Sequence, residues 1–167
     1  MQSKIIRKLE IIANILIISV AVLLGYFLIQ KSFFQTQNDS QPIEIPAGTK
    51  ISLSETDWSA NRKTLLLVLQ KGCKFCTESM PFYKTLIEKS KEKGVKIVAV
   101  LPDSREESLR YLKENGVEIQ EIRQSRLGSL NVRGTPALML IDDKGEVSNS
   151  WIGLLPSEKE AAVMEKL

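Results

Sequence analysis

The sequence predicts an α/β domain, a mixed sheet flanked by helices, behind one N-terminal transmembrane helix. Three observations carry this reading. An uncharged apolar run crosses residues 11–29, strand-like apolar runs alternate with helix-like stretches from residue 50 onward, and Asp143-Lys144-Gly145 marks a turn between two antiparallel strands. The expected organisation is a cytoplasmic tip and anchor over residues 1–34, a flexible tether over 35–49 and a folded domain over 50–167.

The anchor comes first. From Ile11 to Ile29, "IIANILIISVAVLLGYFLI" supplies about 19 residues with only Asn14 and Ser19 as polar interruptions, long enough to cross the hydrocarbon layer as a helix. Lys4, Arg7 and Lys8 precede it and only Lys31 follows closely. The positive-inside bias then leaves the N-terminus in the cytoplasm and the rest outside. A cleaved signal peptide would carry about 7 to 15 apolar residues before a small-x-small site, whereas Ser19 to Ala21 falls in the middle of the run. A buried core helix would show a polar face, and this run shows none. The lipid bilayer is therefore the expected partner of Ile11 to Ile29, and the folded domain is expected on the extracytoplasmic side of a cytoplasmic membrane. The polar stretch that follows, with Pro42, Pro46 and Gly48, reads as the tether.

The domain elements follow in order. Thr64 to Gln70 and Val95 to Leu101 are short apolar runs of the kind buried on both faces of a sheet. Each precedes a helix. The first helix is expected from Cys73 to Lys91, stopping at Gly94. The second opens at Ser104, whose hydroxyl caps while Glu107 reaches back, and ends near Asn115-Gly116. That order gives right-handed β-α-β units with parallel strands. "ALMLID" and "EVSNSWIG" then flank the Asp143-Lys144-Gly145 turn, and Pro156 with a Ser157 to Glu160 capping box opens a last helix.

Composition narrows the function. The 167 residues carry 23 Lys+Arg against 20 Asp+Glu, a net charge of +3, with the signs mixed in stretches such as "EKSKEKG" and "DSREES". Such stretches are solvated helix faces, as are Glu106, Glu107 and Arg110, and no nucleic acid partner is expected. Trp58 and Trp151 read as packing residues.

The chemistry concentrates at Cys73 and Cys76, the chain's two cysteines. Random placement would give this spacing in roughly one arrangement in eighty. The pair follows a buried strand and opens a helix, where free N–H groups and the helix dipole stabilise an anion; the expected result is a depressed pKa at Cys73, helped by Lys74. A thiolate there can attack a disulfide, and a thiol on the same turn can resolve the mixed disulfide.

These residues resemble the thioredoxin superfamily. The landmarks are Cys73-Lys74-Phe75-Cys76 after a strand, Pro81 five residues beyond the second cysteine, and "VRGTPALMLIDDKGEV" from Val132 to Val147. The likeness covers roughly Lys50 to Leu167. With the anchor, the nearest branch looks like the membrane-tethered, TlpA-like thiol-disulfide oxidoreductases. The resemblance implies a thioredoxin fold, Cys73 as attacking and Cys76 as resolving cysteine, and a redox-active Cys73–Cys76 disulfide in place of any cofactor. It implies that Pro81 kinks the active-site helix, that Pro136 follows a cis bond facing the pair, and that the Thr135 backbone binds substrate like an added strand. Gly134 and Gly153 match glycines that let the backbone pass closely. Departures are Gly72 at a tryptophan position, Lys74-Phe75 for Gly-Pro, and Leu67 where the family buries a proton-relaying aspartate; Glu78 is the remaining candidate acceptor. Phe75 is expected to be exposed and to touch a partner. Implied partners are a protein disulfide or dithiol and a membrane electron donor or acceptor that recycles the pair, with the reductant direction preferred.

Competing readings are weaker. A zinc site needs four ligands, and two cysteines without a histidine do not supply them. A peroxiredoxin-type peroxidase would carry Pro-x-x-x-Thr-x-x-Cys, and Leu66 and Gln70 occupy those Pro and Thr positions. A purely structural Cys73–Cys76 disulfide would close too small a loop to stabilise the fold much. A redox-inert, membrane-tethered interaction module is the remaining alternative, and the intact pair argues against it.

Overall fold

The computed structural model of the chain describes residues 14–26 and 44–167, which belong to two units divided between Gln41 and Pro42. In the first unit, residues 14–26 are helical (α1). Ile15 to Ile18 and Val22 to Leu24 are all exposed. Successive helical residues point about 100° apart, so α1 is apolar on every side. Among the described residues no helix is long and apolar enough to cross a membrane. The rest of the expected span, residues 11–13 and 27–29, lies outside the described residues, as does most of the expected tether.

The second unit is built on a five-stranded sheet in the order β3-β2-β1-β4-β5. Its strands are β1 (Lys63–Val68), β2 (Lys96–Leu101), β3 (Glu121–Gln124), β4 (Ala137–Asp142) and β5 (Val147–Ile152). β1, β2 and β3 run parallel, while β4 is antiparallel to both β1 and β5. The helices are α2 (Lys74–Glu78), α3 (Met80–Glu92), α4 (Arg105–Glu114) and α5 (Ser157–Lys166), with a 3-10 turn at Leu127–Leu130. Alternation along β1 divides the core between two faces. Leu65, Leu67 and Leu69 join Met80, Tyr83 and Leu86 of α3, Tyr111 and Leu112 of α4, and Val163 of α5. Leu66 and Val68 join Ile45, Ile51, Leu53, Leu130 and Val132 on the other face. A strand covered on both sides favours apolar residues at successive positions, which explains the run "LLLV" from Leu65 to Val68.

Several expectations change. The single helix from Cys73 is two helices, α2 and α3, divided at Ser79. Pro81 sits in the first turn of α3, where its missing N–H costs nothing; inside a continuous helix it would have removed a hydrogen bond and struck the preceding turn. Ser157 is not a cap. The carbonyl of Pro156 instead accepts the N–H groups of Lys159 and Glu160 at 2.9 and 3.0 Å. Ser104 does cap α4, accepting from the Glu107 N–H at 3.3 Å and donating to the Glu107 carboxylate at 3.0 Å. Residues 44–49, expected in the tether, pack on the domain: Ile45 is buried, its N–H donates to Ser150 Oγ at 2.8 Å, and the Gly48 N–H donates to the Val147 carbonyl at 2.8 Å. The folded unit thus starts ahead of residue 50.

The Asp143-Lys144-Gly145 turn forms as expected, with Asp142 Oδ1 accepting the N–H groups of Lys144 and Glu146 at 2.9 Å each. Gly145 has φ +78°, and a methyl group there would lie 2.7 Å from Trp58 Cδ1. Gly48 has φ +83° with open space around it. Gly48→Ala should therefore cost about 1–2 kcal/mol through its backbone alone, and Gly145→Ala about 1 kcal/mol more through displacement of Trp58. Urea unfolding of the two variants measures the difference; equal losses would show that the Trp58 contact contributes nothing.

Candidate active site

β1 ends at Val68, and the chain turns through Gly72 before α2 begins. Gly72 has φ +78°, a conformation open to glycine and strained for the tryptophan that the resemblance would place there. Cys73 is the N-cap of α2, and its Sγ accepts the Cys76 N–H at 3.1 Å. The Cys73 thiol also donates to the Thr135 carbonyl at 3.3 Å, which brings the two distant sequence landmarks into one site. The Thr135–Pro136 peptide is cis, as the resemblance implies. Both cysteines are free thiols, Cys73 half-buried and Cys76 fully buried.

The two sulfurs differ electrostatically. Burial works against the Cys73 thiolate, but hydrogen bonds from Cys76 and Thr135 and from the backbone N–H groups of Cys76 and Phe75 outweigh it. Its pKa falls below the ordinary 9.0. Burial first, and then the hydrogen bond to Cys73, push the Cys76 thiol up to about 12. The partly exposed sulfur is thus the better nucleophile near neutral pH, and the buried one becomes reactive only when it is brought to a disulfide.

Other expected residues take less central places. Lys74 is exposed and pairs with Glu78 at 3.6 Å, across side chains 81% and 41% accessible, so their interaction is weak. Glu78 is therefore a surface acid and not a buried proton acceptor for Cys76. Leu67 lies in the same apolar cluster as Cys76, with no carboxylate in its place. Phe75 is exposed, as expected, at 50%. A methyl at Gly134 would meet only Ile152 Cγ2, at 3.9 Å, so the close approach implied there is absent. Gly153, with φ +88°, donates its N–H to the Pro136 carbonyl at 2.7 Å and ties the end of β5 to the cis-proline loop. Trp151 is buried in β5 and Trp58 packs beside the second apolar cluster. Among the described residues no group of three or more His, Cys, Asp or Glu side chains is placed to hold a metal.

Two residues that sequence reasoning passed over stand beside the pair. Tyr83 and Tyr111 are buried in the Cys76 cluster, and burial raises the pKa of both, with Cys76 and Cys73 adding to the rise. Tyr83 was accessible to pattern reading, because Cys76, Met80 and Tyr83 share one helical face. Tyr111 left no local signal; its position depends on how α4 packs.

Residues 34–158 match the AhpC/TSA family. The chain belongs to that family. As a member of it, the chain is 29% identical over 99 residues to the thiol-disulfide oxidoreductase ResA of Bacillus thuringiensis (strain Al Hakam), a match spanning 57% of each protein. The aligned part is thus little more than half of either chain. Among solved structures, a thiol:disulfide interchange protein from Bacteroides sp. aligns with a TM-score of 0.54 at 22% identity, over 75% of this chain and 89% of the other. A thiol:disulfide interchange protein DsbE from Chlorobium tepidum aligns at 0.51 and 22%, over 75% and 98%. This AhpC/TSA domain therefore has the thioredoxin fold. Leu66 and Gln70 stand where a peroxiredoxin would carry Pro and Thr ahead of its cysteine, and Leu66 is wholly buried in β1 on the face opposite Leu67.

Proposed function

We propose that this protein is a membrane-anchored thiol-disulfide oxidoreductase that exchanges disulfides with protein partners outside the cytoplasmic membrane, acting as a reductant. The observation that carries the exchange reading is the asymmetric pair: Cys73, half-buried, hydrogen-bonded by the Cys76 N–H and set against the Thr135 carbonyl, above a buried Cys76. Cys73 attacks one sulfur of the partner's disulfide, the other partner sulfur leaves, and Cys76 then closes the Cys73–Cys76 disulfide and frees the second. Thr135 and Pro136 border the attacking sulfur and offer backbone to a substrate strand. Exposed Phe75 supplies apolar contact. The names of the ResA and DsbE relatives support the same reaction class.

The anchor and orientation rest on the apolar run and its basic N-terminal flank. The apolar surface on every side of α1 suits a lipid environment. A reductant needs a membrane electron donor to recharge it. Equilibration of the protein in glutathione redox buffers tests the proposal: a reductant should form its disulfide with a midpoint near thioredoxin's, about −270 mV. A midpoint near −120 mV would reverse the direction of electron flow. A pair that never equilibrates would leave the inert interaction module.

A further inference from the structure

The Tyr111 hydroxyl is buried and has no hydrogen-bond partner, although Tyr111 is only 8% exposed. A buried hydroxyl without a partner is costly and needs an explanation. Thr77, the residue after Cys76, acts on this hydroxyl without forming a well-made hydrogen bond with it, and Thr77 Oγ1 donates to the Cys73 carbonyl at 3.4 Å. Tyr111, Cys76 and Leu67 share one apolar cluster. The neighbouring Tyr83 has Ser79 acting on its hydroxyl, and Ser79 Oγ donates to the Phe75 carbonyl at 2.8 Å. Other groups acting on the Cys76 sulfur are Cys73, Thr135 and the Gln70 backbone, and none is a carboxylate. The acids on nearby helices, Glu78 on α2 and Glu107 on α4, are exposed and interact with Lys74 and Ser104.

We propose that the Tyr111 hydroxyl donates a hydrogen bond to the Cys76 sulfur as Cys76 attacks the mixed disulfide. This inference rests on the exchange reaction proposed above. In that step the Cys76 sulfur gives its proton to solvent and bonds to the Cys73 sulfur. The bond from Cys73 to the partner's sulfur breaks, and the partner leaves as a thiolate. Cys73 and Cys76 end oxidised to a disulfide and the partner's disulfide ends reduced. Tyr111 keeps its proton throughout; it stabilises charge developing on a sulfur that burial otherwise holds protonated. The orphan hydroxyl of the resting dithiol is then a donor whose acceptor forms only during the reaction.

The chromogenic aromatic disulfide dithionitrobenzoate separates the two steps. With the reduced full-length protein, attack by Cys73 releases one coloured thiolate and resolution by Cys76 releases the second. Tyr111→Phe should leave the first phase within about twofold of wild type and slow the second about tenfold or more, the size of a charge-assisted hydrogen bond. It should also move the second phase's pH dependence upward, because the resolving thiol loses a donor. Tyr83→Phe should leave both phases within about twofold. Tyr111→Phe should unfold in urea no earlier than wild type, since it removes an unsatisfied group. A second phase unchanged in Tyr111→Phe, equal slowing of both phases, or a loss of stability would each overturn the inference. Two-phase release by wild type with an unaffected variant sinks this inference alone, whereas no release by wild type sinks the exchange reading and the inference with it.

Discussion

Cys76→Ser should accumulate a covalent complex between Cys73 and its partner protein. Cys73 is accessible enough to attack, but with serine at position 76 no thiol lies beside it to resolve the product. Release then depends on external thiols, which turns a transient intermediate into the main species. On a non-reducing gel of membranes expressing the variant, a new band should appear and vanish with reductant. The Cys73→Ser/Cys76→Ser double variant should lose it. A band that persists in the double variant would show that it does not arise from Cys73 attack.

The parts of this site that were legible in the sequence are those set by local chemistry. Cys-x-x-Cys after an uninterrupted apolar strand, the Ser104 cap and the Asp143-Lys144-Gly145 turn each depend on residues a few positions apart. What escaped depends on tertiary packing. β3 reads "EIRQ", with only Ile122 buried, because it is an edge strand with a charged rim. Its Glu121 instead pairs with Lys96 at 2.6 Å and Arg123 at 2.9 Å. The stretch 44–49 looks like a linker because Pro46 and Gly48 break its periodicity, yet its one large apolar residue, Ile45, is buried in the second cluster. The division of the active-site helix at Ser79 was signalled by Pro81, but a proline marks a break only to within a few residues. Tyr111 comes to the cysteines from α4, more than thirty positions along the chain, and spacing carries no trace of that.

The second large effect is the unequal reactivity of the two thiols. Between pKa values of at most 9.0 at Cys73 and about 12 at Cys76, the thiolate populations at neutral pH differ by at least about a thousandfold. The more basic sulfur is intrinsically the better nucleophile, and a Brønsted slope of about 0.4–0.5 over three units returns roughly twenty- to thirtyfold. The net preference for Cys73 is then at least about thirtyfold before access is counted, and burial of Cys76 widens it. The sign with pH follows from the depressed Cys73 pKa: its alkylation rate should rise with pH through a midpoint below the ordinary thiol value of 9.0, while Cys76 should stay slow well above that midpoint.

The central claim is that Cys73 is an activated nucleophile over a buried resolving thiol. The most direct test is timed iodoacetamide labelling of the reduced full-length protein across pH, with each cysteine read by peptide mass spectrometry. The account predicts that Cys73 is labelled first by at least about thirtyfold, with a midpoint below 9.0. Equal labelling of Cys73 and Cys76, both rising together near 9.0, would contradict it.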